Sequence, residues 1–194
     1  MNLDNTPDNL SVEERIVNAA MHCIAEKGAK SCTMEQFAKK AGLGRKTVYR
    51  AYSNRTELLD RVALKRYELM TKKLAEEMDL NGSLAQLTEE AIVRATTLVQ
   101  EDNIIRSIYE TGSYVNFSHY LMDYKSPFQK LTVEFFAPYI DRARENGELR
   151  ADVTNDEYIG WIRSCQMLIM LNEGLSDKRQ RDFVQRFVLG GIIV

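Results

Sequence analysis

The residues best equipped for chemistry in this chain lie between positions 33 and 55, and what they offer is recognition of anions. Thr33, Thr47, Tyr49 and Tyr52 carry hydroxyls, while Arg45, Lys46, Arg50 and Arg55 carry permanent positive charge. Cations interleaved with hydroxyls and aromatic rings hold phosphate oxygens, and an arginine fork also matches the paired acceptors on the edge of guanine. Residues 27–55 contain eight basic residues against Glu35, a local excess of +7 in a chain of net charge −2, so the remainder carries −9. A phosphate-binding face on an otherwise acidic body has this distribution. A merely solvated basic helix pair would account for the charge, but not for the helical pattern and interleaved aromatics that accompany it.

Bond-making chemistry finds no comparable set. Cys23, Cys32 and Cys165 are odd in number and form no C-x-x-C pair, so they read as reduced thiols. Cys32 has the position for a redox sensor and no other feature of one. His22 and His119 lack ligand spacing, and the Asp123 that follows His119 by one turn has no serine or cysteine nucleophile pattern beside it. A helical-bundle enzyme would need paired carboxylates or Glu-x-x-His, and no Glu-x-x-His occurs. The expectation is therefore no catalytic residue, no metal and no cofactor. A non-specific nucleic-acid protein would spread its basic charge widely, whereas here the net excess is confined to residues 27–55.

Two short helices must position the basic set. The first, 33–41, opens on a T-x-x-Q capping box, Thr33 and Gln36, and lays Phe37, Ala38 and Ala41 along one face. Gly42 supplies the left-handed stop and Leu43 plugs the turn. The second, 45–51, turns Val48 and Ala51 inward and leaves Arg45, Lys46, Tyr49 and Arg50 outward. Paired short helices joined by a glycine-containing turn make a helix-turn-helix, whose second helix enters the major groove.

At these residues the chain resembles the DNA-binding domain of TetR-family transcriptional regulators. The family's spaced pattern stands here as Thr33, Phe37, Ala38, Ala41, Gly42, Leu43, Thr47, Val48, Tyr49, Tyr52, Arg55 and Leu58. Gly44 departs from the usual Ser or Thr cap, Lys46 from a common Gly, and Tyr52 and Arg55 from Phe and Lys; Lys46 makes any borrowed operator sequence unsafe. The resemblance implies that Thr33, Thr47, Tyr49, Tyr52 and Arg55 contact phosphates and that Arg45, Lys46 and Arg50 read bases.

The remainder reads as helix throughout, with 44% hydrophobic residues and three prolines. Residues 1–10 have neither a basic n-region nor an apolar h-region, and are expected to form a flexible arm rather than a signal peptide. Helix 1, at 11–27, opens on Ser11 and Glu14 and stops at Gly28. A long helix at about 55–78 bridges to the next domain, and Asn81-Gly82 then breaks the chain. Further helices are expected at 83–101, 103–110, weakly at 114–124, at 127–145 with Pro138 kinking or dividing it, at 154–174 and at 177–189. The expected fold is all-α: a three-helix helix-turn-helix head at 11–60, joined by the long helix to a helical ligand-binding and dimerisation bundle at 61–194.

The resemblance extends in outline over this second part. It implies a homodimer through about 154–193, which supplies the two-fold symmetry of a palindromic double-stranded DNA operator. It also implies a cavity for a hydrophobic or amphipathic small-molecule effector. Tyr109, Tyr114, Phe117, Tyr120, Phe135, Trp161 and Met167 are the candidate lining residues, with Arg106, Glu110 and Arg163 as candidate polar anchors; ordinary core is the competing reading for each. The longest apolar run, 167–171, is too short to cross a bilayer. The combined expectation is a cytoplasmic, nucleoid-associated regulator, a ligand-released homodimeric repressor, with an activator or a co-regulator without an inducer as the alternative.

Overall fold

A computed structural model of the chain describes residues 10–113, 123, 125–172 and 174–193. These residues are helical nearly throughout; among them the extended pairing is one isolated bridge, Leu149 to Ile193. The helices are α1 (Val12–Lys27), α2 (Met34–Ala41), α3 (Arg45–Ala51), α4 (Arg55–Glu77), α5 (Leu84–Glu101), α6 (Asn103–Ile108), α7 (Pro127–Glu145), α8 (Asn155–Leu171) and α9 (Asp177–Phe183). A short 3-10 turn, Ala29–Ser31, follows α1. A wide π-type turn, Tyr109–Ser113, continues α6, and similar irregular turns continue α9 to Gly191.

Local chemistry sets the helix ends. Reciprocal capping boxes open α1 (Ser11, Glu14), α2 (Thr33, Gln36), α5 (Ser83, Gln86) and α8 (Thr154, Glu157). α7 begins on Ser126 with Pro127 at its first position, and it runs undivided through Pro138. Pro138 is exposed, so the carbonyl deprived of its helical partner can be met by water.

The described chain forms two compact units. One takes in Met1–Arg66 and Asn103–Tyr114, the other Tyr67–Asp102 and Val115–Val194. α4 thus contributes its first half to one unit and its second half to the other. The segment from Asn103, expected with the body, packs instead against α1 and the Ala29–Ser31 turn. The first core consists of Ile16, Ala20, Phe37, Val48, Leu58, Val62 and Ile105, each fully buried. In the second, Leu84, Ile140, Tyr158, Ile159 and Ile169 occupy the centre.

Arginines tie the loops of the second unit down. Arg142 donates to the carbonyls of Leu80 and Gly82, the latter at 2.6 Å, and so fixes the break after α4. Arg144 donates to the Val153 carbonyl at 2.6 Å. Within the bundle, the Thr88 hydroxyl donates to the Leu84 carbonyl at 2.6 Å, so the Tyr158 phenol must be the donor in its own bond to Thr88.

Candidate nucleic-acid interface and cavity

α2 and α3 are set against each other by Gly42. It lies in the left-handed region (φ 65°, ψ 33°), where a side chain would be strained. Its N–H bonds to the Lys39 carbonyl at 3.2 Å, and the Leu43 N–H bonds to Ala38 at 3.0 Å, closing a Schellman turn. Arg15 of α1 donates to the Ala41 carbonyl at 3.1 Å and fixes the same turn from outside. Gly44 starts α3 with no side-chain cap, so packing has to orient this helix. Val48, fully buried, is its anchor.

That anchor leaves Arg45, Lys46, Tyr49 and Arg50 exposed on α3, with Thr47 half-buried. Lys46 and Arg50 make no ion pair among the described residues. Arg45 lies 3.6 Å from Glu35, with 70% of its side chain exposed, a contact too solvated to hold it back from a stronger anion. Lys40 is engaged more closely by Glu26, at 2.6 Å. Thr33 is exposed at the start of α2, but its backbone N–H is taken by Gln36 Oε1 at 2.9 Å and its hydroxyl oxygen accepts the Gln36 N–H at 3.3 Å, which leaves the hydroxyl hydrogen for an outside acceptor.

Two residues expected at phosphate are placed otherwise. Tyr52 is buried at the end of α3, and burial pushes its phenol up from the ordinary value. Arg55, at the start of α4, directs its guanidinium inward. Its Nε donates to the Cys32 carbonyl at 2.9 Å and its Nη2 to the Ala29 carbonyl. The physical reason is local: the Ala29 carbonyl accepts one bond, from the Cys32 N–H at 3.1 Å, and keeps a second lone pair, the Cys32 carbonyl lies just past the turn, and a planar cation within reach bonds both together. From the other side, Ser107 of α6 accepts the Ala29 N–H at 2.6 Å. Sequence reading missed Ser107 and Arg15, whose partners lie 78 and 26 residues away and leave no local signal.

Cys32 is buried beneath this turn, and burial raises its thiol, as it does that of Cys23. A thiol held protonated out of solvent is a poor nucleophile. Among the described residues, no group of three or more His, Cys, Asp or Glu could hold a metal ion.

The second unit contains a partly open cavity of about 110 Å³ between α4, α5, α7 and α8. Apolar side chains form most of its wall, including Met70, Leu74, Ile92, Phe135, Met167 and Met170; Arg163 and Gln166 supply polarity. Of the candidate residues, Phe135 and Met167 are at the wall. Trp161 is not: it stands on the opposite face of α8, 43% exposed, its indole N–H donating to the Val188 carbonyl at 2.9 Å. Tyr109 belongs to the first unit. Tyr114, Phe117 and Tyr120 lie outside the described residues. Of the candidate anchors, Arg163 reaches the cavity, whereas Arg106 and Glu110 sit in the first unit, exposed. No helix among the described residues is long and apolar enough to cross a membrane.

A basic helix-turn-helix head on an all-helical body defines a DNA-binding protein of the helix-turn-helix class. Residues 16–62 match the family profile described as bacterial regulatory proteins, tetR family. An uncharacterised HTH-type transcriptional regulator of Mycobacterium tuberculosis is 22% identical over 152 residues, spanning 77% of this chain and 75% of that protein. The fold is shared with the transcriptional repressor QsdR of R. erythropolis, at 18% identity and a TM-score of 0.68, over 92% of this chain and 94% of that one. It is shared also with the repressor AlkX of Dietzia sp., at 18% identity and a TM-score of 0.63, over 94% and 97%. Residues 16–62 thus carry the DNA-binding domain of the tetR family, and the relatives that the chain matches beyond it are named as HTH-type transcriptional regulators.

Proposed function

We propose that the protein is a homodimeric repressor that presents one α3 to each half of a palindromic operator and releases it when a small apolar or amphipathic molecule enters the cavity. The outward basic face of α3, anchored by Val48 alone, is the observation that carries the reading. On it, Arg45, Lys46 and Arg50 read base edges, while Thr47 and Tyr49, with Thr33 at the start of α2, hold phosphates. Dimerisation is supported by Trp161, Leu168 and Leu171 on one side of α8 and by Phe187 beyond α9, all 43% exposed or more. Apolar surface of this extent on neighbouring helices favours a self-complementary contact. The setting is the cytoplasm, on nucleoid DNA, and α4 is the bridge between a DNA-binding domain at 11–60 and the ligand-binding remainder. Selection from randomised double-stranded DNA tests this. A palindrome with two half-sites is the expected outcome; binding that merely vanishes as salt rises, with no enriched sequence, would leave only counterion release and overturn it.

A further inference from the structure

Between Ala29 and Cys32, both fully buried, the chain carries two exposed residues, Lys30 and Ser31. The turn on which they stand is gripped from within. Arg55 donates to the Ala29 and Cys32 carbonyls, and Ser107 accepts the Ala29 N–H. The Cys32 thiol donates to the Gly28 carbonyl at 3.2 Å. The N–H groups of Ser31 and Cys32 close the turn on the carbonyls of Gly28 and Ala29. With the inner side of the backbone held and both flanking side chains buried, Lys30 and Ser31 have the outer side left to them.

Neither side chain is engaged in the fold. Among the described residues, Lys30 makes no ion pair and the Ser31 hydroxyl no hydrogen bond. The acidic residues nearest in sequence, Glu26 and Glu35, pair with Lys40 and Arg45 instead. An exposed lysine is commonly just a solvated one, so its place has to decide. Lys30 lies three residues before Thr33, which is exposed at the start of α2. The first helix of a helix-turn-helix crosses the DNA backbone. Contacts there come from Lys, Ser and Thr side chains and fix the register of the protein on the duplex. Arg55, engaged with the turn, is withdrawn from that task and instead sets where Lys30 stands.

We propose that Lys30 and Ser31 form a phosphate contact of the head, the Lys30 ammonium lying on the DNA backbone beside the start of α2, with Arg55 as a positioning residue that acts through the turn. The proposal rests on the reading of the head as a DNA-binding domain and adds to its footprint residues outside α2 and α3. The test is titration of the full chain onto a mixed-sequence duplex at several salt concentrations, because a phosphate contact needs no particular base sequence. Each phosphate neutralised contributes about 0.9 to the slope of log affinity against log salt. Lys30→Gln should lower the magnitude of that slope by about 0.9 for each head on the duplex, and Lys30→Arg, which keeps the charge, should preserve it. Ser31→Ala should weaken binding about two- to tenfold with the slope unchanged, since it removes a hydrogen bond and no charge. All three variants should unfold at the wild-type urea midpoint, unlike Arg55→Ala. Lys27→Gln, which removes an exposed cation at the end of α1, measures the general effect of lost head charge. A Lys30→Gln slope equal to that of wild type, a Lys27→Gln slope lowered as much, or a slope that falls only together with the unfolding midpoint overturns the phosphate contact alone. Failure of the wild-type chain to bind the duplex at any salt concentration overturns the DNA-binding reading with it.

Discussion

Arg55→Ala separates two roles that the sequence alone would merge. As a phosphate contact, its loss would weaken binding to all DNA sequences alike and flatten the salt dependence, with folding untouched. The structure assigns the guanidinium to the Cys32 and Ala29 carbonyls. Hydrogen bonds from a charged donor contribute about 1.5–3 kcal/mol each. Arg55 is half-buried, and the Ala29 carbonyl keeps its bond from the Cys32 N–H, so the lower end applies to both, about 3 kcal/mol together. For a chain of 194 residues, about 3 kcal/mol lowers Tm by about 6–12 °C. Arg55→Lys should recover no more than half, because an ammonium cannot span two carbonyls as a planar fork does.

The assay is urea unfolding of wild type, R55A and R55K, followed by circular dichroism, beside titration of each onto a fixed DNA duplex at several salt concentrations. Lys46→Ala is the control: an exposed residue without an ion pair among the described residues, it should leave stability within about 0.5 kcal/mol and reduce DNA affinity. If R55A unfolds with wild-type stability yet loses DNA affinity with a flattened salt slope, the guanidinium serves phosphate and the buttressing argument is wrong.

Three further outcomes follow from the same geometry. Arg45→Ala should cost about 1–3 kcal/mol on a selected operator and relax preference at one position per half-site; equal losses on selected and scrambled duplexes would count against base reading. Ser107→Ala strands the buried Ala29 N–H and should cost about 1–3 kcal/mol in the same unfolding assay; no change would show that water or a shifted side chain replaces it. Glu90 is held by hydrogen bonds from Arg94, then Arg181, which lower its carboxyl below the usual 4.5. Because the folded value is depressed, its stabilisation is present above about pH 4.5 and is lost as pH falls through the folded value. The stability difference between wild type and Glu90→Gln should therefore be largest near neutrality and close on acidification, as followed by urea midpoints across that range.

Legibility in the sequence tracked the range of the interaction concerned. Capping boxes and glycine stops act within four residues, so Thr33 with Gln36 and the turn at Gly42 could be read directly. Val48 inward and Arg45, Lys46, Tyr49 and Arg50 outward follow from helical period alone. The spacing of Ser126 and Gln129 also offers a capping box at the start of α7, and there such reading ends. Ser126 caps α7, but the Gln129 side chain turns to Arg163 of α8, 34 residues on, instead of completing a box. Trp161 and Met167 were equally attractive as cavity residues by type. Only their places around α8 separate them, one outward and one at the wall. The side to which α6 would pack could not be read from six residues with two adjacent isoleucines, because the deciding bond joins Ser107 to Ala29.

The chain passes between its two units inside α4, after Asp102 and again after Tyr114. The first two of these passages share a property. Arg55, eleven residues before the α4 crossing, holds the carbonyls of Ala29 and Cys32; Ser107, five residues after the Asp102 crossing, holds the N–H of Ala29. Both bear on the turn that immediately precedes Thr33 and α2. A turn of three residues has few internal bonds to resist displacement, so its position is set by whatever grips it. Movement of α4 along its axis or of α6 about Ser107 therefore acts on the same backbone atoms. The next element in the chain is the helix that Gly42 locks to α3. The position of α2 and α3 therefore depends on hydrogen bonds that substitution at Arg55 and Ser107 removes one at a time.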